Sequence, residues 1–214
     1  MSIENEIGYE FNNKDFLQVA LSHTSYANEH KGQASNERTE YLGDAVLELI
    51  SSEYIFKNYP NLSEGEMTKC RAYAVCENSL VKVAHKYHFE NYLLVGKCET
   101  EGPRPSMLAD SVEAVIGAIF LDSGFEKAKE FILPNIIPFI EEFVKGGNKD
   151  YKTQLQEKLQ IHGDVKIEYK LVAEYGEDHN KEFEVEVYCD GKKLGSGKGK
   201  SKKEAEMEAA KQAL

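Results

Sequence analysis

The hydrophobic period of this chain changes once, and that change constrains its fold more than any other feature. Up to Phe143, apolar residues recur at helical spacing; beyond Lys149 they come to alternate with charged ones, as in a half-buried strand. The helical stretches are Phe16 to Leu21, Tyr41 to Tyr54, Met67 to Val83, Met107 to Leu121 and Phe131 to Phe143. Ser63 with Glu66 forms a capping box ahead of the third. Ser106, beside Pro105, is placed to cap the fourth, and Pro134 and Pro138 are expected to kink or divide the fifth. After the polar, glycine-containing segment Lys145 to Lys149 comes one helix, Tyr151 to Ile161. Strands follow at Val165 to Ala173, Phe183 to Cys189 and Lys193 to Gly199, with a hairpin turn at Asp190-Gly191. A second capping box, Ser201 with Glu204, opens a last helix to Leu214. The pattern predicts an all-α domain over residues 1–145, a linker over 146–149, and a small α+β domain over 150–214. The order α-β-β-β-α in the latter puts its helices on one face of a three-stranded sheet.

The charges on these helices point to a site. Glu37, Glu40 and Asp44 stand at i, i+3 and i+7, on one helical face. Like charges so close are destabilising unless a cation joins them, although a solvated acidic face has the same pattern. The second acidic group is more constrained. Between Asp110 and Asp122, Glu113 is the only charge in an almost wholly apolar helix. Such a helix is expected to be buried, where an unpaired carboxylate loses several kcal/mol or stays protonated. Asp110 lies one turn before it on the same face. A shared hard cation explains the pair; an ion pair to Arg71 or Arg104 is the alternative. If the two helices pack, Glu40, Asp44, Asp110 and Glu113 converge on one oxygen-rich site. Mg²⁺ suits such ligands, keeps several waters, and serves phosphodiester hydrolysis by activating a water and offsetting charge on the phosphate.

A net charge of −11 taken as a total argues against a nucleic-acid partner, but its distribution matters more. Residues 1–149 carry a net −9, whereas 150–214 hold 12 Lys against 14 acids. Within the latter, Gly191 to Lys203 has six lysines and no acid. Lys202 and Lys203 fall in the first turn of the last helix, where the macrodipole disfavours cations and phosphate oxygens would offset them. Nothing suggests a membrane: no apolar run nears the roughly 18 residues of a span, and Ala114 to Leu121 is the richest. The N-terminus lacks a basic segment followed by an apolar one, so no secretory signal is expected and the cytoplasm is the expected location. Cys70, Cys76, Cys98 and Cys189 form no CxxC pair and read as four buried thiols.

The segment ERTEYLGDAVLELI closely resembles the signature of the ribonuclease III family. LSEGEMTKCRAYAVCENSL and PSMLADSVEAVIGAIFLDSG resemble its next two blocks, in the same order, and the likeness runs from about Tyr9 to Phe143. It implies an all-helical Mg²⁺-dependent endonuclease for double-stranded RNA, with Mn²⁺ able to substitute. The family's four metal-site acids fall on Glu40, Asp44, Asp110 and Glu113. Its two further acids, near the dimer interface and the RNA, fall on Glu37 and Glu64. Asp44, Glu113, Glu37 and Glu64 are accordingly the catalytic candidates. A homodimer is implied, making staggered cuts with short 3′ overhangs and 5′-phosphate ends in precursor ribosomal RNA and structured messengers. Thr39 stands where the family usually has Leu, and Ala74 where a larger apolar residue is common; both departures touch packing or the dimer contact.

Residues 150–214 resemble the double-stranded-RNA-binding domain, through DYKTQLQEKLQ, GEDHNKEFEVEV and GKGKSKKEAEMEAA. The resemblance assigns RNA contacts to Thr153, Gln156, Glu157, Gln160, His179, Lys200, Ser201, Lys202 and Lys203, fitting shape readout of two minor grooves and the phosphates between them. Gly199-Lys200-Ser201 is not a nucleotide-binding loop, since position 194 is Leu where that motif needs Gly, and no nucleotide cofactor is expected. The rival readings are a duplex-RNA binder without cleavage, which has no use for Glu113 in an apolar helix, and a hydrolase of small phosphate esters, which has no use for the C-terminal domain.

Overall fold

The computed structural model describes residues 2–146, 151–161, 163, 165–175 and 181–214. It forms two compact units, Met1–Gly146 and Gly147–Leu214. Of the expected linker, residues 147–149 lie outside the described residues.

The first unit is all-helical: α1 (Ile3–Ile7), α2 (Lys14–Ala20), α3 (Thr24–Glu29), α4 (Glu37–Asn58), α5 (Glu64–Ala74), α6 (Glu77–Lys86), a 3₁₀ turn (Phe89–Asn91) and the long α7 (Pro105–Lys145). Leu47, Ile50 and Ile55 of α4 and Ile116, Ile119, Ile132, Ile136 and Ile140 of α7 are fully buried in one core. The Ser63/Glu66 capping box forms as expected.

Three boundaries depart from the sequence reading. Met67 to Val83 is two helices, because Val75 leaves helical geometry and Cys76 is extended (φ −69°, ψ 160°), opening α6. Both helices bury a face in the same core, Cys70 and Ala74 before the corner and Leu80 and Val83 after it, so the apolar rhythm runs through the break and hides it. Ser106 is not the cap of α7: Arg104 takes that place and Pro105 is the first helical residue, where its missing N–H costs nothing. Pro134 and Pro138 do not divide the helix. The interruption falls at Gly124 (φ 79°, ψ −170°), while Phe131, Ile132, Asn135 and Ile136 are buried around the first proline, packing that outweighs the lost backbone donors. The four thiols also differ from expectation: only Cys70 is buried, and Cys98 is exposed.

The second unit contains α8 (Tyr151–Gln160), β1 (Ile167–Tyr175), β2 (Glu182–Cys189), β3 (Lys192–Gly199) and α9 (Lys202–Ala213). The strands form an antiparallel sheet in the order β1-β2-β3. Asp190 and Gly191 both take positive φ, 49° and 81°, as a two-residue hairpin turn requires. Leu155 of α8, Val187 of β2 and Ala209 and Ala210 of α9 make its small core. β3 lies so close to α9 that a Cβ on Gly197 would stand 2.2 Å from the Ala209 nitrogen. At Ser201 the expected capping box is half formed: its Oγ accepts from the Glu204 N–H (3.2 Å), but the Glu204 carboxylate accepts from the Lys200 N–H (2.7 Å) instead.

Candidate metal centre and nucleic-acid face

Helices α4 and α7 touch backbone to backbone. A Cβ on Gly43 would lie 1.8 Å from the Glu113 carbonyl oxygen, and one on Gly117 would lie 2.2 Å from that of Thr39. Glu40 precedes Gly43 by about one turn, and Glu113 precedes Gly117 by about one turn. The close crossing therefore brings acids of both helices together. Glu40, Asp110 and Glu113, all half-buried, each offer an oxygen within 4.8 Å of the others. Asp44, the fourth expected ligand, is exposed on the next turn of α4 and is not in that group of three.

The electrostatics are those of an anionic site short of positive charge. Burial raises Glu113 to about 8, and the charges of Asp44, Glu40, Asp110 and Glu48 add to the effect. Burial likewise raises Glu40 to about 7, with Asp110, Glu37 and Asp44 contributing. Asp110 is raised by burial, while His23 pulls it down and Glu77 pushes it up. The arginine alternative is not realised. Arg71 donates to the Ser52 hydroxyl (3.0 Å) and stands 3.9 Å from Glu48, and Arg104 pairs with Glu99 at 3.2 Å. Three clustered, partly desolvated oxygen donors with raised proton affinity fit a hard divalent cation, which would replace those protons.

The other expected acids lie apart from the triple. Glu37 is exposed in the first turn of α4, accepting from the Ser35 hydroxyl at 3.1 Å. Glu64 is exposed in the first turn of α5, at a hollow of about 190 Å³ that Ser52, Phe56, Met67 and Arg71 also line. Thr39 and Ala74 are both buried, Ala74 within this unit's apolar core. Three residues escaped the sequence reading, one of them Glu77, whose charge pushes Asp110 up. Glu48, two turns beyond Glu40, bears on Glu113. His23 caps α3, its Nδ1 accepting from the Ser25 N–H at 3.1 Å, and bears on Asp110. Glu48 could have been found from its i+4 relation to Asp44; a histidine far away in sequence gives no comparable signal.

In the second unit, Gln156 and Gln160 are exposed on α8, with the Gln156 amide 3.4 Å from the Gln160 carbonyl oxygen. Thr153 and Glu157 fall on the same helix, but their side chains are outside those described, and His179 lies outside the described residues. Lys200, Ser201, Lys202 and Lys203 are exposed together at the start of α9. Lys202 is within 3.4 Å of Glu174 and 5.7 Å of the Phe183 ring centre, so its charge is already partly met by a local carboxylate.

Residues 13–140 match the family model described as Ribonuclease-III-like, and residues 151–214 match the double-stranded RNA binding motif. Ribonuclease 3 of Listeria innocua is 46% identical over 99% of this chain and 95% of its own length. The nuclease domain of ribonuclease III from Campylobacter jejuni, whose structure is described as flexible in a region involved in dimer formation, is 40% identical, with a TM-score of 0.59 over 64% of this chain and 94% of that one. Dicer from Pichia stipitis is 27% identical, with a TM-score of 0.52 over 96% of this chain and 94% of that one.

Proposed function

The chain belongs to the ribonuclease III family and is an endoribonuclease acting on double-stranded RNA, and from that premise we propose that Glu40, Asp110 and Glu113, with Asp44 at the rim, hold Mg²⁺ for the cut. The observation that carries this reading is the triple of oxygens within 4.8 Å, two of them on carboxylates raised to about 7 and 8. A bound Mg²⁺ supplies an activated water and offsets charge on the phosphate and the leaving oxygen, and Mn²⁺ substitutes for it. The protein's part is to fix geometry: the α4–α7 crossing sets the spacing of the ligands. Asp44 and Glu113 are the acids assigned closest to the chemistry, with Glu37 and Glu64 assigned a place near the dimer interface and the RNA. Hydrolysis leaves 5′-phosphate ends. Lys200 to Lys203 and the α8 face (Thr153, Gln156, Glu157, Gln160), with His179, hold the duplex by shape and phosphate contacts.

Two copies of the chain act together, in this reading, each with one site, giving staggered cuts. α4 supports it: Tyr41, Leu49 and Phe56 are 80%, 58% and 71% exposed and lie along one stripe of the helix, an apolar face suited to a symmetric partner. The C. jejuni nuclease domain has a dimer-forming region of its own. Precursor ribosomal RNA and structured messengers in the cytoplasm are the natural duplex substrates. No observation favours a binder that does not cut.

One long duplex RNA tests the assignment. Wild type cuts it with Mg²⁺ and stops with EDTA. Glu113→Gln retards the duplex in a gel as wild type does, yet cuts it orders of magnitude more slowly. Lys202→Ala with Lys203→Ala weakens retardation for any sequence and lowers the salt slope by about one unit per lost phosphate contact. Near-normal cleavage by Glu113→Gln would remove the metal site from this reading, and unchanged retardation by the lysine variant would remove the phosphate clamp.

A further inference from the structure

Outside the acidic centre, a second set of ligating side chains gathers where α6 ends. Glu90, in the 3₁₀ turn, lies between two imidazoles: His85 Nδ1 is 3.4 Å from its Oε2, and His88 Nδ1 is 3.8 Å from its Oε1. Neither approach makes a hydrogen bond, and Glu90 Oε2 is buried without a hydrogen-bond partner. A buried carboxylate oxygen left in that state is costly. His88 adds to the cost, holding the left-handed backbone conformation (φ 54°, ψ 40°) that non-glycine residues seldom adopt. The nearest lysine in sequence, Lys86, is occupied elsewhere, donating to Asn135 Oδ1 at 2.7 Å.

We propose that His85, His88 and Glu90 form a binding site for a borderline divalent transition ion such as Zn²⁺, separate from the oxygen-only centre at α4 and α7. Two imidazole nitrogens and one carboxylate select Zn²⁺, Ni²⁺ or Cu²⁺ over Mg²⁺. Ligand bonds of about 2.0–2.2 Å place two donors on a tetrahedral ion roughly 3.4 Å apart, the separation found between His85 Nδ1 and Glu90 Oε2. The three donors are not yet closed on one point, since only Glu40, Asp110 and Glu113 among the described residues meet within 4.8 Å. The imidazoles are 57% and 56% exposed, so both can swing toward the carboxylate. The site also lies at the C-terminal end of a ten-residue helix, where the macrodipole favours a cation. An ion there gives Glu90 Oε2 its missing partner and staples α6 to the turn that follows.

The test uses the full chain in excess Mg²⁺, with one equivalent of Cu²⁺ as a spectroscopic probe. Electron paramagnetic resonance is expected to show coupling to two imidazole nitrogens in wild type. His85→Ala with His88→Ala should abolish it, and Glu113→Gln should leave it intact, which separates this site from the catalytic one. Calorimetric titration of Zn²⁺ should find binding at least about tenfold weaker in the double variant and in Glu90→Gln. The histidine side chains are largely exposed, and circular dichroism checks that the variants fold. Absence of two-nitrogen coupling in wild type, its persistence in the double variant, or equal Zn²⁺ affinity in both overturns the proposal.

Discussion

Glu113 is a carboxylate whose surroundings favour its neutral form, and that makes it measurable. The metal-free folded chain keeps protons on Glu113 to about pH 8 and on Glu40 to about pH 7, whereas the unfolded chain releases them near 4.5. Between those limits the folded state binds more protons, so its stability falls as pH rises from about 4.5 through 8. Asp122 and Glu53, both lowered to about 2, act in the opposite direction, but their contribution is complete by about pH 4.5, below this window. Melting in EDTA at pH 5.5, 7 and 8.5 should therefore show a decline that Glu113→Gln flattens. Mg²⁺ must displace the same protons, so its apparent affinity should rise over pH 6 to 8, with buffer-dependent heats of binding. A wild-type melting profile no steeper than the variant's would mean that the acids are already neutralised by some other group. The residue itself was legible in sequence because one charge in an apolar helix has few explanations. Asp44 was legible as an acid on the right face, but its exposure was not, because helical spacing fixes direction and not depth.

The crossing of α4 and α7 turns two acidic helices into one site. Gly117→Ala puts a Cβ 2.2 Å from the Thr39 carbonyl oxygen, a backbone atom with no side-chain freedom to yield. The helices must separate, at a cost of about 1–3 kcal/mol, and the ligand spacing widens with them. Thermal melting should drop by several degrees, about 2–4 °C per kcal/mol at this size. The extra stability gained on adding Mg²⁺ should shrink, and cleavage should fall further than stability does. Unchanged Mg²⁺ stabilisation and cleavage would show that the crossing does not set the site. Elements were legible where a local signal existed: the Ser63/Glu66 box, the Asp190-Gly191 turn and the alternation of Phe183, Val185 and Val187 all recur in the structure. They were misread where tertiary packing decides. A shared core hides the corner at Val75, and packing carries α7 past Pro134 and Pro138 while it breaks at Gly124. The glycines that permit the crossing carry no period at all, so the convergence of Glu40 with Asp110 and Glu113 was a conditional expectation from sequence.

At the scale of the whole molecule, catalysis and capture of the duplex are assigned to parts with separate cores. The apolar cluster of the first unit runs from Ile3 to Phe143, and that of the second begins at Leu155, with no residue in common. All the candidate metal ligands lie in the first unit, and the exposed lysines at the start of α9 lie in the second. We therefore propose that each part folds by itself, as the solved nuclease domain of the C. jejuni relative does over the equivalent length. A chain ended at Gly146 should keep its helical circular dichroism and melt cooperatively. It should still require Mg²⁺, but its net negative charge and the loss of the lysine cluster leave few contacts to phosphate. Cleavage should then be measurable only at low salt, with a smaller salt slope than that of the full chain, because fewer counterions are released on binding. Adding residues 147–214 as a separate chain should not restore activity, since the gain comes from tethering, which raises the effective concentration of the nuclease at the bound duplex. An unfolded truncation would place the boundary elsewhere, and full activity at physiological salt would mean that the first unit grips the duplex unaided.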